Sequence, residues 1–242
     1  MTQQRHRGKN PEDERLFIPN QMPTLKKAVV DLSYLYTRNY SEKAAIKIVG
    51  DHYQLKSRQR VAVQRAACSD LSLHNRLKSE IGNKPLKGKN FLIDGYNLLI
   101  TVESLLSGGI LICGRDGCIR DMASLHGSYH KVEETLPALK WIGENLSAYE
   151  PSNVRWFLDK PISNSKRLAQ LLKDLSNEYR WSWNAEVVDN PDTVIVSQEG
   201  IVISSDSWIL DRAFIWLNFV YRCVKSQINN LWILDFSEPL TD

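Results

Sequence analysis

Five short apolar runs in this chain each lead into an aspartate. Phe91-Leu92-Ile93 ends on Asp94, Val154-Arg155-Trp156-Phe157-Leu158 on Asp159, and Glu186-Val187-Val188 on Asp189. Ile201-Val202-Ile203 passes through Ser204-Ser205 to Asp206, and Leu231-Trp232-Ile233-Leu234 ends on Asp235. Runs of this length and composition read as strands, and a run without polar alternation suits a strand buried on both faces. If the strands are mostly parallel, the carboxylates collect along one rim of a sheet, where an open α/β sheet places its ligand crevice. Like charges at 4 Å repel by about 4 kcal/mol near a protein surface, so such a rim calls for a proton or a cation. Oxygen donors favour a hard divalent ion, Mg2+ or Mn2+. The competing reading is that each aspartate ties down a strand-to-helix turn.

The elements around the first aspartate fit the chemical reading. Asp94-Gly95-Tyr96-Asn97 reads as a tight turn in which Gly95 takes a conformation closed to other residues and Asn97 caps the helix begun by Leu98. Asn190-Pro191-Asp192 opens a short helical turn that brings Asp192 near the rim. Asp211, five residues after Asp206, falls within plausible reach of the same ion, and Glu133 joins it if the helix from Glu133 to about Tyr149 borders the crevice. Ser163-Asn164-Ser165 supplies turn and capping chemistry, and with Lys166 and Arg167 it could hold a phosphate at a helix start. In SWILDRAFIWLNFVYRC, the aromatic residues Trp208, Phe214, Trp216 and Phe219 read as core.

Composition narrows the class. The chain has 242 residues, 43% hydrophobic and 24% charged, which is ordinary for a globular protein. No apolar run is long enough to span a membrane, and the first residues lack the apolar core of a secretory signal, so a cytoplasmic location is expected. Four cysteines without a CxxC pair do not make a disulfide scaffold. Cys113, Cys118, His126 and His130 have a spacing unlike a zinc-finger loop, and we read them as buried thiols and unrelated histidines.

The net charge of +3 conceals an asymmetry. Residues 1–90 hold 18 Lys and Arg against 8 Asp and Glu, a balance of +10, whereas residues 91–242 hold 13 against 20, a balance of −7. One part suits a polyanion and the other suits metal, although a solvated basic face would give the same count.

Residues 1–23 are polar and broken by proline, as in a loosely docked or disordered arm. Residues 24–85 carry helical periodicity: Leu25, Ala28, Val29 and Leu32 form one stripe, Ala44, Ala45, Ile48 and Val49 another. A third helix is expected over SRQRVAVQRAACSDLSLHNRL, making a helix-turn-helix-like unit that presents Arg58, Arg60 and Arg65 to nucleic acid. Gly82-Asn83-Lys84-Pro85 marks a boundary, after which residues 90–242 form an α/β domain. Within it, ILICGRDGCIRDM reads as a hairpin turning at Arg115-Asp116-Gly117.

From Asn90 onward the chain resembles the PIN-like nucleases, and more narrowly their NYN branch, whose first strand ends in an hhhDGYN-type motif as FLIDGYN does here. The resemblance implies a parallel sheet sandwiched by helices and an acid cluster that binds Mg2+ or Mn2+ to cut RNA. By motif, Asp94 matches the first acid, with Asn97 the polar residue beside it. Asp159 matches the second, Asp192 the third and Asp206 the fourth, with Ser205 the hydroxyl before it. The whole chain also resembles a bacterial and archaeal family of unknown function in which a small helical unit precedes this part, through DLSYLYTRNYSEKAAIKIVGDHYQL, RDMASLHGSY and LDKPISNS. The hairpin and HGSY segment before Glu133 departs from the NYN pattern.

The leading expectation is a metal-dependent ribonuclease whose basic helices grip RNA, RNA being favoured over DNA. The alternatives are a nucleic-acid-binding regulator whose α/β part serves for homodimerisation or ligand sensing, and a hydrolase of small phosphate esters at the same acids.

Overall fold

The computed structural model describes residues 8–123, 129, 131–226 and 230–237. His126 and His130 lie outside the described residues.

Five helices come first: α1 (Asp13–Leu16), α2 (Met22–Thr37), α3 (Glu42–His52), α4 (Ser57–Ala66) and α5 (Asp70–Ser79). The α2 stripe Leu25, Ala28, Val29 and Leu32 is buried as its spacing requires. Of the four α3 residues expected inward, Ala45 and Val49 are buried, joined by Gly50 and in part by Ile46, whereas Ala44 and Ile48 are exposed. The single helix expected from Ser57 is two, broken at Ala67-Cys68 where Ala67 goes extended and Ser69 caps the second half by accepting from Ser72 N at 3.1 Å. Nor are residues 8–23 a loose arm. Leu16 and Phe17 are buried, and the fully buried Asp13 is held by Arg58 of α4.

The rest of the chain runs β1 (Asn90–Asp94), α6 (Gly95–Leu106), β2 (Leu111–Cys113), β3 (Ile119–Asp121), α7 (Thr135–Ser147), β4 (Asn153–Asp159), α8 (Ser165–Tyr179), β5 (Trp183–Val188), α9 (Pro191–Val196), β6 (Ile201–Ile203), α10 (Ser207–Leu210), α11 (Phe219–Val224) and β7 (Ile233–Asp235). One sheet has the order β5-β4-β1-β6, all parallel. Both of its faces are covered. Phe91, Ile93, Trp156, Leu158 and Ile203 point into one core, while Leu92, Phe157 and Val202 point into another with Ile195, Ile209 and Trp216. This two-sided burial explains the unbroken apolar runs, each fully buried large side chain contributing about 1.5–3 kcal/mol. The chain moves outward from β1 through β4 to β5, then returns to place β6 on the other side of β1. The direction of winding thus reverses at β1, and the crevice of such a sheet lies above that strand's carboxyl end.

The second sheet, β3-β2-β7, holds the expected hairpin, with Gly117 at φ 73° in its turn. It also draws Asp235 away from the parallel sheet, so the fifth strand-end acid does not join the rim. One face of this sheet, through Ile110, Ile112, Met122, Leu234 and Phe236, packs in the same core as Leu25, Leu32, Val49 and Val63 of the first helices. The turn at residues 82–85 therefore does not separate two cores. α5 is tied in as well, since Trp216 Nε1 donates to the Arg76 carbonyl at 2.8 Å and Ile81 N to the Trp216 carbonyl at 2.9 Å.

Candidate functional site

Asp94 closes β1 and is buried. Its Oδ2 accepts from Ser204 Oγ at 2.8 Å, and the same Oγ accepts from Asp206 N at 3.0 Å. Burial pushes the Asp94 carboxyl up to about 8; the Ser204 hydrogen bond opposes this, and the charges of Asp206, Asp192 and Asp159 add to it. Three of the aspartates named from sequence therefore act on the fourth.

Each reaches the rim by a different route. Asp159 ends β4; since Asp94 pairs with Phe157, it stands two residues farther along, about 7 Å at the rise of a strand. Asp192 is the second residue of α9, begun by Pro191 and capped by Asn190, whose Oδ1 accepts from Thr193 N at 3.1 Å. Burial also raises the carboxyls of Asp159 and Asp192, and for Asp192 the charges of Asp206 and Asp159 contribute. Asp206 caps α10, with Oδ1 accepting from Trp208 N at 2.8 Å and Ile209 N at 3.1 Å. Among the described residues no Lys, Arg or His forms an ion pair with Asp94, Asp159, Asp192 or Asp206. Also among the described residues, no three His, Cys, Asp or Glu side chains are grouped so as to hold a metal ion.

The turn after Asp94 differs from the expected one. The helix begins at Gly95, so Asn97 lies in its first turn instead of capping it. Asn97 Oδ1 instead accepts from Ser205 N at 2.8 Å and Ser205 Oγ at 2.9 Å, joining β1's turn to the loop after β6. Gly95 is required by space and not by an unusual φ: a Cβ there would come within 2.5 Å of Leu158 Cδ2 and 2.8 Å of the Phe157 carbonyl.

Several other predicted residues are placed elsewhere. Asp211 is already neutralised by Arg76, whose Nε donates to it at 2.6 Å, and it also accepts from Ser72 Oγ at 3.2 Å. Asp189 pairs with Lys160 at 3.0 Å on the surface. Glu133 is exposed in the turn before α7, which starts at Thr135. Arg58 is committed to Asp13, Arg60 to Asp51 and the Leu55 carbonyl, and Arg65 to the Ala123 carbonyl and Asp121. These three arginines fasten the helices internally and do not form an open basic face. Lys166 and Arg167 are exposed in the first turn of α8, while Ser165 is buried, bonded to Tyr96 OH at 2.8 Å and to the Asp159 carbonyl. Cys113 and Cys118 are free buried thiols, which burial raises to about 12.

Sequence reading passed over Ser204, the residue that touches Asp94; the Ser-Ser pair before Asp206 was the available signal. It also passed over Arg120, whose Nε donates to the Ser205 carbonyl at 3.0 Å and whose guanidinium, with that of Arg76, grips buried Asp116 at 2.7 Å. Burial raises the Asp116 carboxyl, but the two guanidiniums outweigh it and hold the group below the usual carboxylate range. Glu103 was missed too: a buried acid on α6, it accepts from Thr135 Oγ1 at 2.6 Å and from Tyr129 OH. A cavity of about 20 Å³ beside Asn97, Ser204 and Ser205 has room for about one water molecule.

A parallel sheet with carboxylates at one rim, joined to a helical region, defines the class of this protein. By sequence it belongs to the family described as "Domain of unknown function (DUF5616)", which matches residues 83–222 and so contains Asp94, Asn97, Asp159, Asp192, Ser205 and Asp206. Residues 24–78 match a second family, "Protein of unknown function (DUF434)". The chain is 29% identical over 187 residues to "Uncharacterized protein MJ0935" of Methanocaldococcus jannaschii, covering 77% of this chain and 89% of that one. No solved structure matches it. Among the described residues no helix is long and apolar enough to cross a membrane.

Proposed function

We propose that this protein is a metal-dependent ribonuclease of PIN-like type, hydrolysing a phosphodiester at the rim formed by Asp94, Asp159, Asp192 and Asp206. The observation that carries this reading is the state of Asp94: buried, raised to about 8, and subject to three further aspartates with no basic partner among the described residues. Stability alone gives no reason to gather uncompensated acids, and such groups mark functional sites.

The donor set fits Mg2+ or Mn2+, being all carboxylate oxygen. Asp94, Asp159 and Asp192, with the Asp206 oxygen not used in capping, would hold the ion; as they stand, no three of these side chains are grouped for it. When bound, the ion would supply an activated water and offset charge on the phosphate. The protein's own residues do the positioning. Ser204 fixes Asp94 and the Asp206 backbone through one oxygen, Asn97 fixes Ser205, and Arg120 holds the Ser205 carbonyl from behind. With Arg58, Arg60 and Arg65 engaged internally, the polyanion is left to exposed cations such as Lys166 and Arg167.

Labelled RNA incubated with Mn2+, with EDTA, and with Asp94→Ala tests this reading. Cleavage should stop with the chelator and fall on the order of 10²-fold or more with the substitution. Cutting that survives either treatment overturns it. The ungrouped acids favour a second reading, a nucleic-acid-binding regulator without turnover, which predicts salt-sensitive binding and no cleavage under any divalent ion.

A further inference from the structure

The segment after Asp206 was read as core, yet two of its aromatic side chains face solvent. Phe214 is 96% exposed, the most of any large hydrophobic residue described, and Trp208 is 40% exposed. A single exposed apolar residue is unremarkable in a soluble protein. These two, however, stand on either side of Arg212 in the chain. The Arg212 guanidinium lies 4.1 Å from the centroid of the Trp208 ring, and its Nη1 donates to the Trp208 carbonyl at 3.1 Å. Among the described residues no carboxylate pairs with Arg212.

The backbone under these side chains is anchored from several directions. Ile209, Leu210 and Ala213 are buried beneath it. Arg76 holds Asp211 at 2.6 Å and the Ser207 carbonyl at 3.3 Å. Trp208 N is bonded to Asp206 Oδ1, which places the ring two residues from the acidic rim on the helix that Asp206 caps. A ring stacked with a guanidinium that no carboxylate neutralises, and a second exposed ring two residues farther along, on a backbone fastened by buried groups, match a ligand with exposed flat bases on an anionic chain.

We propose that Trp208, Arg212 and Phe214 form a stacking platform for unpaired bases of a single-stranded nucleic acid whose backbone runs toward the Asp94 rim. This deepens the ribonuclease reading and rests on it for the polymer class, but it is tested apart from cleavage. Duplex is excluded as the preferred ligand, because paired bases offer no free face to the rings.

The experiment is fluorescence anisotropy of a short labelled oligouridylate and an oligothymidylate, in EDTA, with the full chain. Trp208→Ala and Phe214→Ala should each weaken binding by roughly five-fold or more, and Phe214→Tyr should bind as the native protein does. Arg212→Ala should lower the slope of log affinity against log salt by about one phosphate contact. Since Phe214 is almost wholly in water, its alanine variant should keep the native melting temperature, so loss of binding cannot be assigned to unfolding. The platform is overturned if both alanine variants bind both oligonucleotides as the native protein does, if an abasic strand of equal length binds equally well, or if no single strand binds at all. Binding that depends on these side chains without Mn2+-dependent cleavage overturns the hydrolytic reading and leaves the platform standing.

Discussion

Asn97 and Ser205 stand 108 positions apart in the chain, yet one amide oxygen of Asn97 receives both the backbone N–H and the hydroxyl of Ser205, at 2.8 and 2.9 Å. The contact closes the seam where the sheet reverses direction and fixes the loop carrying Ser204 and Asp206. Asn97→Ala should leave the Ser205 N–H without its acceptor and cost about 1–3 kcal/mol, read as a lower urea midpoint with an unchanged m-value. Asn97→Asp keeps an acceptor and should recover part of that loss; equal stability of all three proteins would show that the bond does not fix the loop.

The raised Asp94 carboxyl makes metal-free stability depend on pH in a fixed direction. Between its ordinary 3.8 and about 8, the folded protein keeps a proton that the unfolded chain has released, so stability falls as pH rises through that window. Asp159 and Asp192, also raised, act with the same sign. Asp94→Asn should match the native protein near about pH 4 and exceed it progressively toward about pH 8, by on the order of a few kcal/mol. Urea unfolding in EDTA at several pH values checks this, and parallel curves would contradict it.

Arg120 and Arg76 compensate one buried carboxylate. Arg120→Met should cost about 1.5–3 kcal/mol by removing the hydrogen bonds of one of the two guanidiniums on Asp116, and a second change, Asp116→Asn, should return part of it. Thermal unfolding of the single and double variants measures the coupling; strict additivity would mean that the groups are independent.

Arg58 belongs to the structure of the helical region and not to its surface chemistry. Arg58→Ala should destabilise by about 3–5 kcal/mol, because it strands the fully buried Asp13. Measured below the melting temperature, the variant should keep the native salt slope of any nucleic-acid binding. A slope lowered by about one would restore Arg58 to the binding face.

Gly95→Ala should cost about 1–3 kcal/mol, because the added carbon meets Leu158 and the Phe157 carbonyl. Pairing it with Leu158→Val should relieve the side-chain part of the clash and leave the part due to the carbonyl. A neutral Gly95→Ala would show that β4 shifts freely.

Strands were the most legible elements, because burial on both faces leaves an unbroken apolar run that ends on a polar residue, as at Asp94 and Asp159. Sheet membership was not legible. Leu231 to Leu234 has the same local character as the other runs, and only the pairing of β7 with β2 sets Asp235 apart. Charge was misread for a related reason. Arg58 and Arg65, seven residues apart, share one side of the helix and Arg60 lies on the other, but the partners of all three, Asp13, Asp51 and Asp121, are remote in sequence or beyond any helical repeat. Asn97 and Gly95 do not play the local parts expected of them: a turn was the simplest account, whereas their partners are remote, Ser205 in the loop after β6 and Leu158 on β4. Exposure of Trp208 and Phe214 left no mark in the sequence, since aromatic residues of a core segment and of a surface ledge look alike.

The strand Ile233–Asp235 completes the layer against which the first helices pack, with Leu234 and Phe236 seated among Leu25, Leu32 and Val63. During synthesis those helices leave the ribosome long before their last neighbours exist; they can pack on one another, but the side that meets β2 and β7 must wait uncovered. Folding of the opening third is therefore finished by the closing residues, and a nascent chain stalled short of Leu234 would be a substrate for chaperones even with its acidic rim already in place.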